Sequence, residues 1–281
     1  MSCTCQVCAG TQDEAFVSIN EAVVGHGWCV LGVDGGQDEF AYTVGLGHTL
    51  DRPEVSMFGL DVEDMQHWLN HVVELSRDNG WPELDQDFTG VIDGVPTRLR
   101  QVDPSWGNSL FAASTHFYLG TPPPVLQLVW PDAEGRWPWE EGVDEDCRLA
   151  QPHAWLPIEE HPEGTWRLVG ELTPGFPFPA SPDSWTLTTQ SIMDGKRTPV
   201  LLVREERAYD VLDERGYDAD DLVLAYLGEV VRAHPVLAGA GDVADGAAAA
   251  LDGDAWVGRE RSEDERAAAE KAWQVAGGLD G

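Results

Sequence analysis

Apolar positions in the first third of the chain follow two different rhythms. Phe16, Ile19 and Val23 fall at helical spacing behind Thr11 and Glu14, which stand three apart as a capping box, and Gly25 and Gly27 close the run. The spacing predicts a helix over about residues 12–24. "WCVLGV" and "FAYTVGL" are short and β-branched, lie on either side of the turn-rich "DGGQDE", and predict a strand hairpin. "EVSMFGL" beyond Pro53 predicts another strand. Asp61 is then placed to cap a helix whose Val62, Met65, Leu69 and Val72 form one stripe before Gly80 ends it.

From Phe88 to Trp130 the apolar runs are short and cut by Gly, Pro and Asp. "TGVIDGVPTRLRQVD", "SLFAASTHFYLG" and "PVLQLVW" all read as antiparallel strands. Residues 143–165 are acidic, punctuated by proline and without a sustained period, which predicts a linker. Strands are expected again at "WTLTTQSIM" and "TPVLLVRE", with a helix at "DADDLVLAYLGEVVRAH". Ser262 and Glu265 cap a last helix beyond an Ala, Gly and Asp-rich stretch. The expected fold is α+β: a mostly antiparallel sheet with flanking helices over residues 1–142, then a smaller α+β domain over 166–281.

Charge changes the picture more than composition does. Fifty Asp and Glu against 17 Lys and Arg leave a formal net charge of -33. Such a surface repels phosphate backbones and anionic headgroups, so neither nucleic acid nor membrane is expected as a partner, whereas a basic protein is. The same acidity also serves plain solubility. The first residues, "MSCTCQVCAGTQDEAF", carry no basic stretch or apolar run of a secretory leader, and no segment reaches the ~18 apolar residues of a bilayer span. A cytoplasmic protein is expected, and five cysteines, three of them within the first eight residues, suit a reducing compartment.

Among candidate chemistry, Cys5 and Cys8 have the C-x-x-C spacing that lets two thiolates reach one tetrahedral zinc. Cys3, His26 or Cys29 complete such a site only if the fold returns the far end of the first helix to the amino terminus. A redox dithiol and inert thiols are the other readings. His67 and His71 share a helix face, but it lies opposite the apolar stripe and lacks the glutamate of a zinc helix, which makes them a solvated pair. "GLGHTL" lacks the third glycine of a dinucleotide loop, and no Walker or nucleophile-elbow sequence occurs. In "LQLVWPDAEGRWPWEEG", Gln127 and Trp130 belong to a strand that ends at Pro131 and Asp132. Pro138 holds Trp137 and Trp139 on one side of the return segment. These rings either bracket a ligand or cover an open end of the sheet.

These fragments together resemble a known family. "CQVC", "HGWCVLGV", "FAYTVGL", "RPEVSMFGL" followed by "WLN", and "VLQLVWPDAEGRWPWEEG" occur in the order and spacing of domain of unknown function 4262, over about residues 5–142. The resemblance names no reaction. It marks Cys5, Cys8, Gly27, Trp28, Tyr42, Thr43, Gly45, Leu46, Pro53, Glu54, Gln127, Trp130, Asp132, Trp137, Pro138 and Trp139 as motif positions. Arg52 stands where the family often has histidine, so no role for that imidazole transfers. Residues of about 183–260 are similar to small immunity-protein domains of polymorphic toxin systems.

Two functions follow as expectations. One is an acidic, immunity-like binding protein that engages a basic partner. The other is an enzyme or ligand-binding domain with a pocket walled by Tyr42, Thr43, Gln127, Trp130, Trp137 and Trp139. In that pocket Asp132 or Glu54 would be the working carboxylate, its pKa raised by burial against the rings.

Overall fold

The computed structural model describes residues 3–11, 13–33, 39–205 and 208–276. They form two compact units, the first running through Glu171 and the second from Leu172 onward. Each is α+β and built on a mixed six-stranded sheet.

In the first unit the strands are β1 (Cys29–Val33), β2 (Phe40–Val44), β3 (Glu54–Phe58), β4 (Asp87–Ile92), β5 (Val95–Gln101) and β6 (Val125–Val129). Their order is β1-β2-β3-β6-β5-β4, and only β3 and β6 run parallel. Side chains alternate across the sheet with the two-residue period of a strand. Phe40, Tyr42, Val44, Phe58 and Val125 face a core with Trp106, Phe111, Phe117 and Trp166. Ala41, Val55, Met57, Leu99, Leu126 and Leu128 face Met65, Leu69 and Val72 of the Val62–Asn79 helix. Asp61 caps that helix by accepting from the backbone N–H groups of Glu63 and Asp64, as its sequence predicts. The hairpin pairing of β1 with β2 is also present, while its turn, 34–38, lies outside the described residues.

Two expectations for this unit differ from the structure. "SLFAASTHFYLG" is helical, as Gly107–Leu110 and Ala112–Phe117, because Asp103 caps a turn opened by Pro104 and starts the chain in a helical direction. The stretch 143–165 lies within the first unit and holds the buried Cys147, Gln151, Ala154 and His161. Single hydrogen bonds pin it where periodicity is silent: Trp106 Nε1 donates to the Leu156 carbonyl at 2.8 Å and Gln127 Nε2 to the Pro152 carbonyl at 2.9 Å.

The second unit contains β7 (Trp185–Thr189), β8 (Leu201–Glu205), β9 (Ala208–Leu212), β10 (Leu222–Tyr226), β11 (Ala248–Asp252) and β12 (Ala255–Arg259), in the order β10-β7-β9-β8-β11-β12. "DADDLVLAYLGEVVRAH", expected as helix, gives β10 and only then the helix Leu227–Ala233. The Ala-rich tail supplies β11 and β12, where pairing with β8 overrides a weak strand propensity. The last helix, Glu263–Ala276, has the expected capping box between Ser262 and Glu265. Asp210, buried on β9, accepts from Tyr217 at 2.5 Å and from Trp273 Nε1 at 2.9 Å, which ties that helix to the sheet.

Candidate metal centre

The three amino-terminal cysteines converge on a histidine that spacing alone does not single out. One donor atom from each of Cys3, Cys5, Cys8 and His48 lies within 4.8 Å of all the others. His48 Nδ1 stands 3.5 Å from Cys5 Sγ and 3.3 Å from Cys8 Sγ. In a tetrahedral zinc site with bonds of about 2.3 Å to sulfur and 2.0–2.1 Å to nitrogen, the sulfur–nitrogen edge is roughly 3.5 Å. The observed separations match that edge. Cys5 is fully buried and caps the Gln6–Ala9 turn, and its sulfur accepts from the Cys8 N–H at 3.5 Å.

All five cysteines are free thiols. Burial, together with the neighbouring Cys5 and Cys8 sulfurs, pushes the Cys3 thiol up to about 12, and Cys8 is raised by burial and by Cys5. Thiols that hold their protons at neutral pH release them when a metal takes the sulfurs, so affinity for metal rises with pH and falls as the solution turns acid.

His48 is placed by the strand ends that flank it. Gly45 closes β2 at φ +110, a left-handed conformation, and a Cβ there would stand 2.7 Å from Val23. The short Leu46–Thr49 helix follows and carries the imidazole. Beneath it lies Glu54, the first residue of β3, with four donors around its carboxylate. Glu54 Oε2 accepts from Thr43 at 2.7 Å, and Oε1 accepts from Tyr118 at 2.5 Å and from the N–H groups of Gly45 and Gly47 at 2.9 and 3.4 Å. The Thr43 and Tyr118 oxygens in turn accept from the N–H groups of Val55 and Gly47, so both hydroxyl protons point at Glu54. Burial drives the Glu54 pKa above its ordinary value, against the pull of Tyr118, Thr43 and the backbone N–H groups. A shell made only of donors fits the ionised form. Thr43, Gly45 and Glu54 therefore orient the turn that bears His48.

The remaining expected site residues are elsewhere in the same unit. Tyr42 packs edge-on against Phe111, and burial raises its hydroxyl to about 12. Tyr42 on β2 belongs to one core and Trp130 packs against the other, and β3 and β6 lie between β2 and β5, whose Arg98 and Arg100 meet Trp137 and Trp139. Trp137 and Trp139 stack at 5.5 Å and are covered by guanidinium groups from β5. Arg98 lies 4.3 Å from the Trp137 ring centre, and Arg100 lies 4.6 Å from Trp139 and 4.0 Å from Trp155. The rings cap the sheet through this ladder. Trp130 Nε1 donates to the Phe58 carbonyl at 2.9 Å. Replacing Arg100 by alanine is expected to cost about 1–2 kcal/mol in urea denaturation, from two partly buried cation–π contacts, without changing metal content.

Asp132 also departs from expectation. Burial would raise it, but the N–H groups of Arg136 and Asp144 and the Arg136 guanidinium bring it down to about 2, the opposite of a working acid. A depressed carboxylate stabilises the fold fully above its ordinary pKa, and that stability is lost as pH falls through the folded value. Asp132→Asn is therefore expected to be less stable than the parent at neutral pH, with the gap closing toward pH ~2 in thermal melts across a pH series.

Sequence reasoning finds Cys5 and Cys8 but not His48, Tyr118 or the arginine ladder. Cys3 completes the cluster, as one of the expected alternatives, whereas His26 and Cys29 do not. His67 and His71 stack at 6.4 Å on an exposed helix face, and His71 Nε2 meets the Gly90 carbonyl. Among the described residues, no helix is long and apolar enough to cross a membrane.

No curated protein and no solved structure matches the chain. One family model does, and its span takes in His48, Glu54, Tyr118 and the tryptophan hairpin while starting beyond the three cysteines. Residues 22–144 match the model described as Domain of unknown function (DUF4262).

Proposed function

We propose that the first unit is a zinc-dependent binding domain, in which Cys3, Cys5, Cys8 and His48 hold one zinc ion that anchors the chain's first residues beside the sheet. The observation that carries this reading is the convergence of four donors from two stretches some forty residues apart, 40 and 43 for the Cys8 and Cys5 pairs with His48. Three thiolates and an imidazole select a soft or borderline ion and disfavour magnesium or calcium. Four protein ligands fill a tetrahedron, which suits holding a structure together more than hydrolysis. Glu54 and Asp132, the carboxylates available for acid–base work, are both committed to nearby donors.

Native mass spectrometry of the purified full chain tests this directly. One zinc per chain, removed by a chelator, is the expected result. A chain that takes up no zinc after loading under reducing conditions overturns the reading.

The charge of -33 supports a second element of the proposal, a basic protein as the partner of this cytoplasmic, immunity-like module. Electrostatic complementarity of that kind raises the association rate and weakens with salt. Capture of a basic protein at low salt, released as salt rises, is expected; no binding at any ionic strength counts against it.

A further inference from the structure

We propose that Cys3 is the exchangeable ligand of this centre, and that the cleft it walls admits a low-molecular-weight thiol bearing a carboxylate, whose sulfur takes the place of Cys3 on the metal. This rests on the reading that a metal occupies the four-residue site. Two independent features meet at Cys3. It belongs to the donor cluster, and it also lines a cleft of about 500 Å³ in the first unit. Cys5, Cys8 and His48 are not among the walls of that cleft. Its volume is that of a small-molecule site, and such sites combine an apolar lining with a few fixed polar groups.

The walls indicate which small molecule fits. Pro53, Pro122 and Pro124 with the Tyr118 ring make most of the surface apolar and rigid, which suits a short hydrocarbon body. Arg52 stands on the same wall, is exposed, and its guanidinium has no ion pair among the described residues, in a protein where acidic groups far outnumber basic ones. A planar guanidinium there takes a carboxylate. The metal supplies the third recognition element. Thiol is the head group that replaces Cys3 with least disturbance, because the incoming S–H gives its proton to the departing Cys3 sulfur. One metal–sulfur bond breaks and one forms, no electron is transferred, and the set of three sulfurs and one nitrogen keeps its charge. Cys5 is locked in the core and Cys8 lies off the cleft, so neither offers this route.

The test uses the full chain loaded with cobalt(II) under reducing, oxygen-free conditions, with 3-mercaptopropionate as probe and propionate as control. The wild type is expected to show the visible spectrum of a tetrahedral sulfur-rich site, and the probe, which keeps that donor set, to free the Cys3 thiol for alkylation saturably, read by mass spectrometry, while propionate does not. Cys3→Ala, saturated at a cobalt concentration raised to offset the lost ligand, is expected to show about one third less sulfur-to-metal charge transfer, since two thiolates remain of three. The probe restores that band in Cys3→Ala but not in Cys8→Ala. Arg52→Ala weakens the probe about tenfold in the wild-type background, the loss of one charge-assisted contact. A wild-type Cys3 that stays protected from alkylation at saturating probe overturns the proposal, as does equal response to propionate or equal rescue of Cys8→Ala. Failure of the wild type to bind cobalt at all is a different result, and it removes the metal reading itself.

Discussion

His48→Ala is expected to reduce zinc from one ion per chain to less than about a tenth at micromolar free metal, since the remaining sulfurs cannot close the tetrahedron. An ion held at a free concentration a thousandfold above its dissociation constant stabilises the fold by about 4 kcal/mol, and this is the loss expected in the denaturation of the first unit. The imidazole is half-buried and belongs to a one-turn helix, so the substitution takes little packing with it. Cys5→Ser should lose the metal equally but destabilise further, because Cys5 also fills a place in the core beside Ile19 and Val23. The control is the chelated parent, which should coincide with His48→Ala and remain more stable than Cys5→Ser. A His48→Ala protein that keeps stoichiometric zinc would place the ligand set elsewhere.

The second large effect belongs to Glu54. Removing its side chain in Glu54→Ala strands the Thr43 and Tyr118 hydroxyls and the Gly45 N–H, all of which it now satisfies. Each buried donor left without an acceptor costs about 1–3 kcal/mol, so a loss of about 3–5 kcal/mol is expected after partial rearrangement. Because the same donors fix the turn that carries His48, zinc affinity should fall as well, by about 10–100-fold, the usual effect of losing a partner that orients a metal ligand. Glu54→Gln keeps the shape but turns an amide N–H₂ toward donors, and should fall between the parent and Glu54→Ala in both measurements. Competition with a chromophoric chelator reads the affinity, and urea denaturation reads the stability. Unchanged zinc affinity in a folded Glu54→Ala protein would separate this network from the metal.

Much of the architecture was legible because periodicity and caps report local structure. The Val62, Met65, Leu69 and Val72 stripe behind Asp61 gives its helix, and the β1–β2 hairpin, β3 and β6 follow from short β-branched runs. Failures occurred where tertiary pairing decides the outcome. Ala248 and Ala249 are strand residues because β8 and β12 flank them, and Leu222–Tyr226 pairs with β7 despite a composition that also suits a helix. The region 143–165 has no period because its order comes from hydrogen bonds to Trp106 and Gln127, which are remote in sequence.

The site divides in the same way. Cys5 and Cys8 are close in sequence, so their shared purpose shows in their spacing. His48 reaches them only through the path from β2 to β3, which no spacing rule encodes. In hindsight the signal is the cluster of motif residues around it: Thr43, Gly45 and Glu54, read from sequence as pocket residues or motif positions, meet at one turn. The tryptophan hairpin attracts attention by composition, yet Arg98 and Arg100, which occupy its rings, lie on a strand some forty residues earlier, read from sequence only for its place in the sheet.

X-ray absorption at the zinc edge of the intact protein is the most direct measurement. Three sulfur neighbours at about 2.3 Å and one nitrogen at 2.0–2.1 Å are expected. A shell of oxygen and nitrogen alone, or one sulfur-rich shell unaltered in His48→Ala, would show that the amino-terminal thiols and the β2–β3 turn do not share an ion.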